Sequence, residues 1–134
     1  MDSGKKNRVV TGKMGIDAHD TGIITINRML RDAGMEVVYV GLFNTPVSIV
    51  RASVEEDADI LGISFHHDSY MKHIADLMLE LKKSESKVRL IVGGLIKTRH
   101  ISKLKEMGVL GIFPPGSTGD DIICAIKDMD NKGS

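Results

Sequence analysis

The residues best suited to chemistry in this 134-residue chain stand in one short run, Asp17-Ala18-His19-Asp20-Thr21-Gly22. A neutral imidazole such as that of His19 is a good ligand for a borderline transition metal, and its second ring nitrogen then takes a carboxylate partner. Asp17, two residues earlier, is placed to be that partner and to set the tautomer. Gly15 and Gly22 let backbone pass close to a ligand, or let the helix that follows pack tightly. The same residues also suit a plain surface loop in which Asp17 caps a helix and His19 does nothing. Local spacing alone leaves both readings open.

Four further groups have unusual composition: Gly41-Leu42-Phe43-Asn44-Thr45-Pro46, Ser64-Phe65-His66-His67-Asp68, Gly93-Gly94, and Pro114-Pro115-Gly116-Ser117-Thr118. The last opens a helix and suits either phosphate binding or an ordinary cap, with Asp120 and Asp121 favouring the helix dipole. Gly93-Gly94 suits a turn, or a floor on which a flat ligand lies against backbone. His66, His67, Asp68 and His73 invite a zinc reading, but their spacing fits no standard tetrahedral set. No Gly-Lys-Ser/Thr phosphate loop and no Gly-x-Gly-x-x-Gly fingerprint is present in the sequence. His100 and Cys124 suggest no chemistry, and Cys124 is expected on the inward stripe of the last helix as a small hydrophobe.

The elements that must position these groups alternate in type. Short β-branched runs at residues 8–11 (or 8–13), 36–41, 60–64, 88–92 and 109–113 read as strands. Helical periodicity lies between and after them. Ile23, Ile26, Met29, Leu30 and Ala33 mark one helix, closed by Gly34. A second spans about residues 46–57. Ile74, Leu77, Met78 and Leu81 mark a third, Ile101, Leu104 and Met107 a fourth, and Ile122, Ile123, Ile126 and Met129 a fifth. Repeated βα units predict an α/β fold, a flavodoxin-like five-stranded parallel sheet in the order 2-1-3-4-5 with helices on both faces. In such sheets ligands bind beyond the carboxyl ends of the strands, and every unusual group above falls on that rim.

Bulk composition narrows the function. Lys+Arg and Asp+Glu balance at 18 each, so no net field gathers nucleic acid or an anionic membrane. No apolar run approaches a membrane span. The single cysteine excludes an internal disulfide and points to a reducing cytoplasm. Residues 1–7 and 131–134 read as flexible ends around one domain at 8–130. With 14 glycines and no tryptophan, the composition suits tight turns and close approach of something flat to the main chain.

Taken together, Asp17-x-His19-x-x-Gly22, Ser64 and Gly93-Gly94 resemble the cobalamin-binding domain of adenosylcobalamin-dependent mutases, whose signature is Asp-x-His-x-x-Gly, Ser-x-Leu and Gly-Gly. The resemblance covers residues 8–128. The flanking run Lys13-Met14-Gly15-Ile16-Asp17-Ala18-His19-Asp20 and the loop from Gly41 to Pro46 are most similar to the acyl-CoA mutase branch, of which methylmalonyl-CoA mutase is the type. The resemblance implies that His19 is the metal ligand, binding cobalt in place of the cofactor's own dimethylbenzimidazole, with Asp17 bonded to the far ring nitrogen. It also implies a slot for the freed nucleotide tail. Asp17, Ala18, His19, Asp20, Thr21, Gly22, Ser64, Phe65, His66, Gly93, Gly94, Gly116, Ser117 and Thr118 are the cofactor-binding residues expected from it. Three positions depart from the pattern: Ala18 stands where glycine is frequent, Thr21 where arginine is, and His66 where the leucine of Ser-x-Leu stands.

The function so implied is that of a small, cobalamin-binding subunit of a carbon-skeleton mutase, holding adenosylcobalamin base-off for radical rearrangement of an acyl-CoA. A substrate chamber such as a TIM barrel does not fit in 134 residues beside this sheet. A separate large subunit is therefore expected, and no catalytic, substrate-contacting residue is expected here. The alternatives are a non-catalytic cobalamin carrier, chaperone or sensor, and the small subunit of a glutamate mutase-like enzyme.

Overall fold

Five strands alternate with helices through the computed structural model, which describes residues 7–13, 21–41, 44–65, 69–114 and 117–132. The strands are β1 (Arg8–Lys13), β2 (Glu36–Tyr39), β3 (Ile60–Phe65), β4 (Arg89–Gly94) and β5 (Gly111–Phe113). They pair in parallel in the order β2-β1-β3-β4-β5, as the sequence predicts. The helices among the described residues are α1 (Thr21–Asp32), α2 (Pro46–Glu55), α3 (Tyr70–Lys83), α4 (Ile101–Glu106) and α5 (Gly119–Lys132). A 3-10 turn at Thr98–His100 leads into α4.

Local chemistry sets the element ends. Thr45 caps α2 reciprocally: its hydroxyl accepts from the Ser48 N–H at 3.1 Å, and its own N–H donates to Ser48 Oγ at 2.9 Å. Pro46 follows at the first helical position, where its missing N–H costs nothing. Gly34 ends α1 with φ +94°, and the Met35 N–H returns to the Leu30 carbonyl at 3.1 Å.

Successive strand residues point to opposite faces, and each face has its own core. Val10, Leu61, Phe65, Leu90 and Val92 pack under α2, α3 and α4 against Ile49, Tyr70, Ile74, Leu77, Leu81 and Leu104. On the other face Val9, Ile60 and Ile91 meet Leu30 of α1 and Ile126 of α5. Each such side chain contributes about 1.5–3 kcal/mol by leaving water.

Two expectations change here. Gly93-Gly94, expected just past a strand, forms the last two residues of β4, paired with Ser64 and Phe65. Cys124 is exposed rather than inward. At 100° per residue it lies opposite the stripe centred on Ile122, Ile123 and Ile126.

Candidate functional site

The face covered by α1 and α5 loses side-chain bulk towards the carboxyl ends of the strands. Its lower rung is Val9 and Ile60, in register across β1 and β3. The next is Thr11 beside Gly62, and the one after pairs Ser64 with Gly93. Because these residues are small, the helices span a gap instead of a filled core. The result is a cavity of about 280 Å³. Thr11, Gly62, Ser64 and Gly93 contribute its floor, Ile23, Ile26 and Leu30 of α1 one wall, and Ile122 of α5 with Phe113 and Pro114 the other. Every described residue lining this cavity is uncharged, so the space suits a flat, mainly apolar group with a few polar contacts.

Two polar features stand at the edge of this apolar space. Thr11 (3% exposed) donates its hydroxyl proton to Oδ1 of Asn27 (2% exposed) at 2.7 Å, a buried bond between β1 and α1. Lys13 is fully buried at the end of β1. Its N–H donates to the Gly41 carbonyl at 3.1 Å, and its carbonyl accepts from the Asn44 N–H at 3.2 Å and Asn44 Nδ2 at 2.9 Å. The loop after β2 is thereby tied to the rim.

A rigid joint lies beside the slot. Gly94 has φ +102°, and a Cβ there would run into the Phe65 carbonyl oxygen, so only glycine fits. That carbonyl accepts from the Leu95 N–H at 2.8 Å. Phe65 stacks on the His73 ring and tilts against Tyr70. The Tyr70 hydroxyl accepts from the Lys97 N–H at 2.9 Å and bonds His100 Nδ1 at 2.5 Å. His100, given no role from sequence, thus helps fasten the segment after β4 to the start of α3.

The residues named from sequence divide as follows. Asp17, Ala18, His19, Asp20, His66 and Gly116 lie outside the described residues. Thr21 and Gly22 open α1. Ser64, Gly93, Gly94 and Ser117 line the cavity. Phe65 does not: strand alternation sends it to the opposite face, where it is 1% exposed in the dense core. Thr118 is exposed and caps α5, accepting from the Asp121 N–H at 3.1 Å while Asp121 Oδ2 accepts from its own N–H at 2.8 Å. Sequence reading missed Thr11, Gly62, Ile23 and Ile26. Gly62 had a usable signal, because a glycine inside a strand marks close approach of another group.

A doubly wound parallel sheet with an uncharged slot at the carboxyl ends of its strands is the architecture of a ligand-binding domain. The chain belongs to the B12 binding domain family, which it matches over residues 7–123. It is a cobalamin-binding domain related to acyl-CoA mutase subunits. It is 33% identical over 127 residues to the pivalyl-CoA mutase small subunit of Xanthobacter autotrophicus, covering 93% of this chain and 84% of that one. It is 30% identical over 123 residues to the 2-hydroxyisobutanoyl-CoA mutase small subunit of Aquincola tertiaricarbonis, covering 91% and 90%. It is also 34% identical over 112 residues to the ethylmalonyl-CoA mutase of Cereibacter sphaeroides, where 84% of this chain spans only 17% of that protein.

Among solved structures, the monomethylamine corrinoid protein of Methanosarcina barkeri superposes with TM-score 0.76 at 19% identity, over 92% of this chain and 58% of that one. The isolated REC domain of RcsB from Salmonella enterica superposes nearly as well, with TM-score 0.70 at 18% identity over 95% and 90%. Those likenesses describe the fold alone, since one scaffold hosts many functions. No helix among the described residues is long and apolar enough to cross a membrane. The slot fits part of a cobalamin: its glycine and hydroxyl floor leaves room for a flat ring, and its aliphatic walls suit an apolar one.

Proposed function

We propose that this chain is the small, cobalamin-binding subunit of a carbon-skeleton mutase acting on an acyl-CoA, and that it holds adenosylcobalamin base-off. His19 would hold the cobalt, and Asp17 would be its hydrogen-bonding partner. Gly22, Ser64, Gly93 and Gly94, with Ser117 at the α5 side, would hold the nucleotide tail in the slot. The observation that carries the reading is the cavity at the carboxyl rim, floored by small residues and uncharged among the described residues, in a domain of the B12 binding family. Bound adenosylcobalamin supplies the radical chemistry, while the protein supplies position and electronics.

The chain's own residues bind and orient. Gly93 and Gly62 admit the ring, the α1 and α5 walls exclude water from it, and Asp17 fixes the tautomer of His19. Substrate is held by a separate large subunit, a reading supported by the two relatives named as mutase small subunits. The compartment is the cytoplasm, and adenosylcobalamin is the form used.

The experiment has two arms. In the first, absorption and EPR spectra of the chain with added cobalamin are expected to show base-off, histidine-on coordination that disappears in His19→Ala; identical spectra from the two proteins remove His19 as ligand. In the second, the chain is mixed with a candidate large subunit, adenosylcobalamin and a panel of acyl-CoAs. Binding without partner-dependent isomerisation on any of them moves the assignment to a carrier.

A further inference from the structure

We propose that the open edge of the sheet at β5 is a self-association surface on which a second copy of this chain docks, with α4 of each copy against α5 of the other. The inference goes beyond the reading above and does not depend on it.

Among the described residues no strand lies beyond β5, and α4 and α5 flank it on opposite faces of the sheet. The two helices turn opposite charges towards this edge. Leu104 of α4 points inward and is fully buried, while His100 leans towards α3, where it bonds Tyr70. At 100° per residue Lys105 falls on the other flank, beside the open edge, with half-buried Ile101 one turn before it. α5 also runs antiparallel to β5 but on the opposite face, so the sense of its turn is reversed with respect to the edge. Its inward residue is the fully buried Ile126, and Ala125 before it faces the edge between Asp121 and Asp128. The other flank of α5 meets α1, where Gly119 lies against Met29.

Lys105, Asp121 and Asp128 are exposed, and none of them forms an ion pair among the described residues. Asp121 complements the dipole at the start of α5, but Asp128 stands in the C-terminal half and gains nothing from it. The sheet keeps the lysine flank and the acidic flank of one copy apart. A two-fold axis parallel to β5 brings them together twice, setting Lys105 of each copy beside α5 of the other. Depth agrees with this pairing: at a rise of about 1.5–2 Å per residue, Lys105 and Asp128 both lie roughly 12–14 Å below the carboxyl end of the sheet. Leu110, 48% exposed just before β5, adds apolar surface to the contact. An axis perpendicular to the sheet would instead join β5 to β5 and set α5 against α5, with Asp121 facing Asp128. β5 is also poorly made for such an extension, being three residues long with Pro114 directly after it.

The test is sedimentation velocity of the full chain over a range of concentrations and salt. A dimer fraction that rises with protein concentration and falls between about 50 and 500 mM salt is expected. Lys105→Glu and Asp128→Lys should each weaken the dimer about a hundredfold, since every contact occurs twice about the axis. Combining Lys105→Glu with Asp128→Lys should restore it. Cross-linking of the unmodified chain gives a second reading that needs no variant. The proposed axis puts the exposed Cys124 of the two copies on opposite faces of the pair, beyond the reach of a short bis-maleimide. A monomer at every concentration, a dimer indifferent to both charge reversals, a double variant that stays monomeric, or a dimer cross-linked through Cys124 overturns the proposal. Cobalamin titration of the same samples reports on the cofactor reading separately.

Discussion

The two faces of the sheet share their strands but differ in what the alternating residues bring. Towards α2, α3 and α4 the strands send Val10, Leu61, Phe65, Leu90 and Val92, and the helices answer with side chains as large as Tyr70 and Leu77. Towards α1 and α5 they send Thr11, Gly62, Ser64 and Gly93, and the helices close over a space of about 280 Å³. The first face therefore supplies most of the cohesion, and the second gives up cohesion for volume. A βα sheet can divide labour in this way because a one-residue step changes faces without disturbing the ladder.

Substitutions can break or sharpen that division, ordered here by their effect on stability. Gly94→Ala should cost about 4 kcal/mol or more, because the new Cβ meets Phe65 backbone at a positive φ and disturbs both faces at once. Urea unfolding measures it; a loss below about 1 kcal/mol would show that the joint yields. Leu77→Ala, at a fully buried position on the dense face, should cost about 3 kcal/mol in the same assay. Gly62→Val should change stability by no more than about 1 kcal/mol, since its Cβ meets only ordinary contacts and the rest of the side chain enters open space. Cobalamin affinity should nevertheless fall about a hundredfold, read by titration. A variant that lost stability but kept affinity would reverse the roles of the two faces. Thr118→Ala removes a cap and should cost about 0.5–1 kcal/mol, leaving cobalamin affinity unchanged because Thr118 faces solvent.

Much of the fold was legible because periodicity is a direct record of burial. Val9–Val10, Ile60 to Ile63 and Leu90 to Val92 announce strands, and Ile74, Leu77 and Leu81 announce a helix whose inner face they do form. The rim positions of Ser64 and Gly93 were legible for the same reason, since they close recognisable strands. The slot itself was harder to read. Its floor includes Thr11 and Gly62, two residues inside strands, whose meaning depends on being neighbours across β1 and β3. That pairing is a tertiary fact with no trace in local spacing. Phe65, expected at the site from the resemblance, sends its side chain to the opposite core, because neighbours in a strand point to opposite faces. Cys124 was misplaced by reading neighbours in sequence as neighbours on a helix.

The strand order also bears on how the chain must be made. β1 lies between β2 and β3, so a strand made before both of its neighbours needs partners on both sides. Val9 pairs with Ile60, about fifty residues later, a delay of several seconds at about 5–20 residues per second of synthesis. During that interval an apolar Val9–Val10 segment has an open edge, the kind of surface on which nascent chains associate. Arg8 before it and Lys13 after it are charges well placed to discourage such association until β3 arrives.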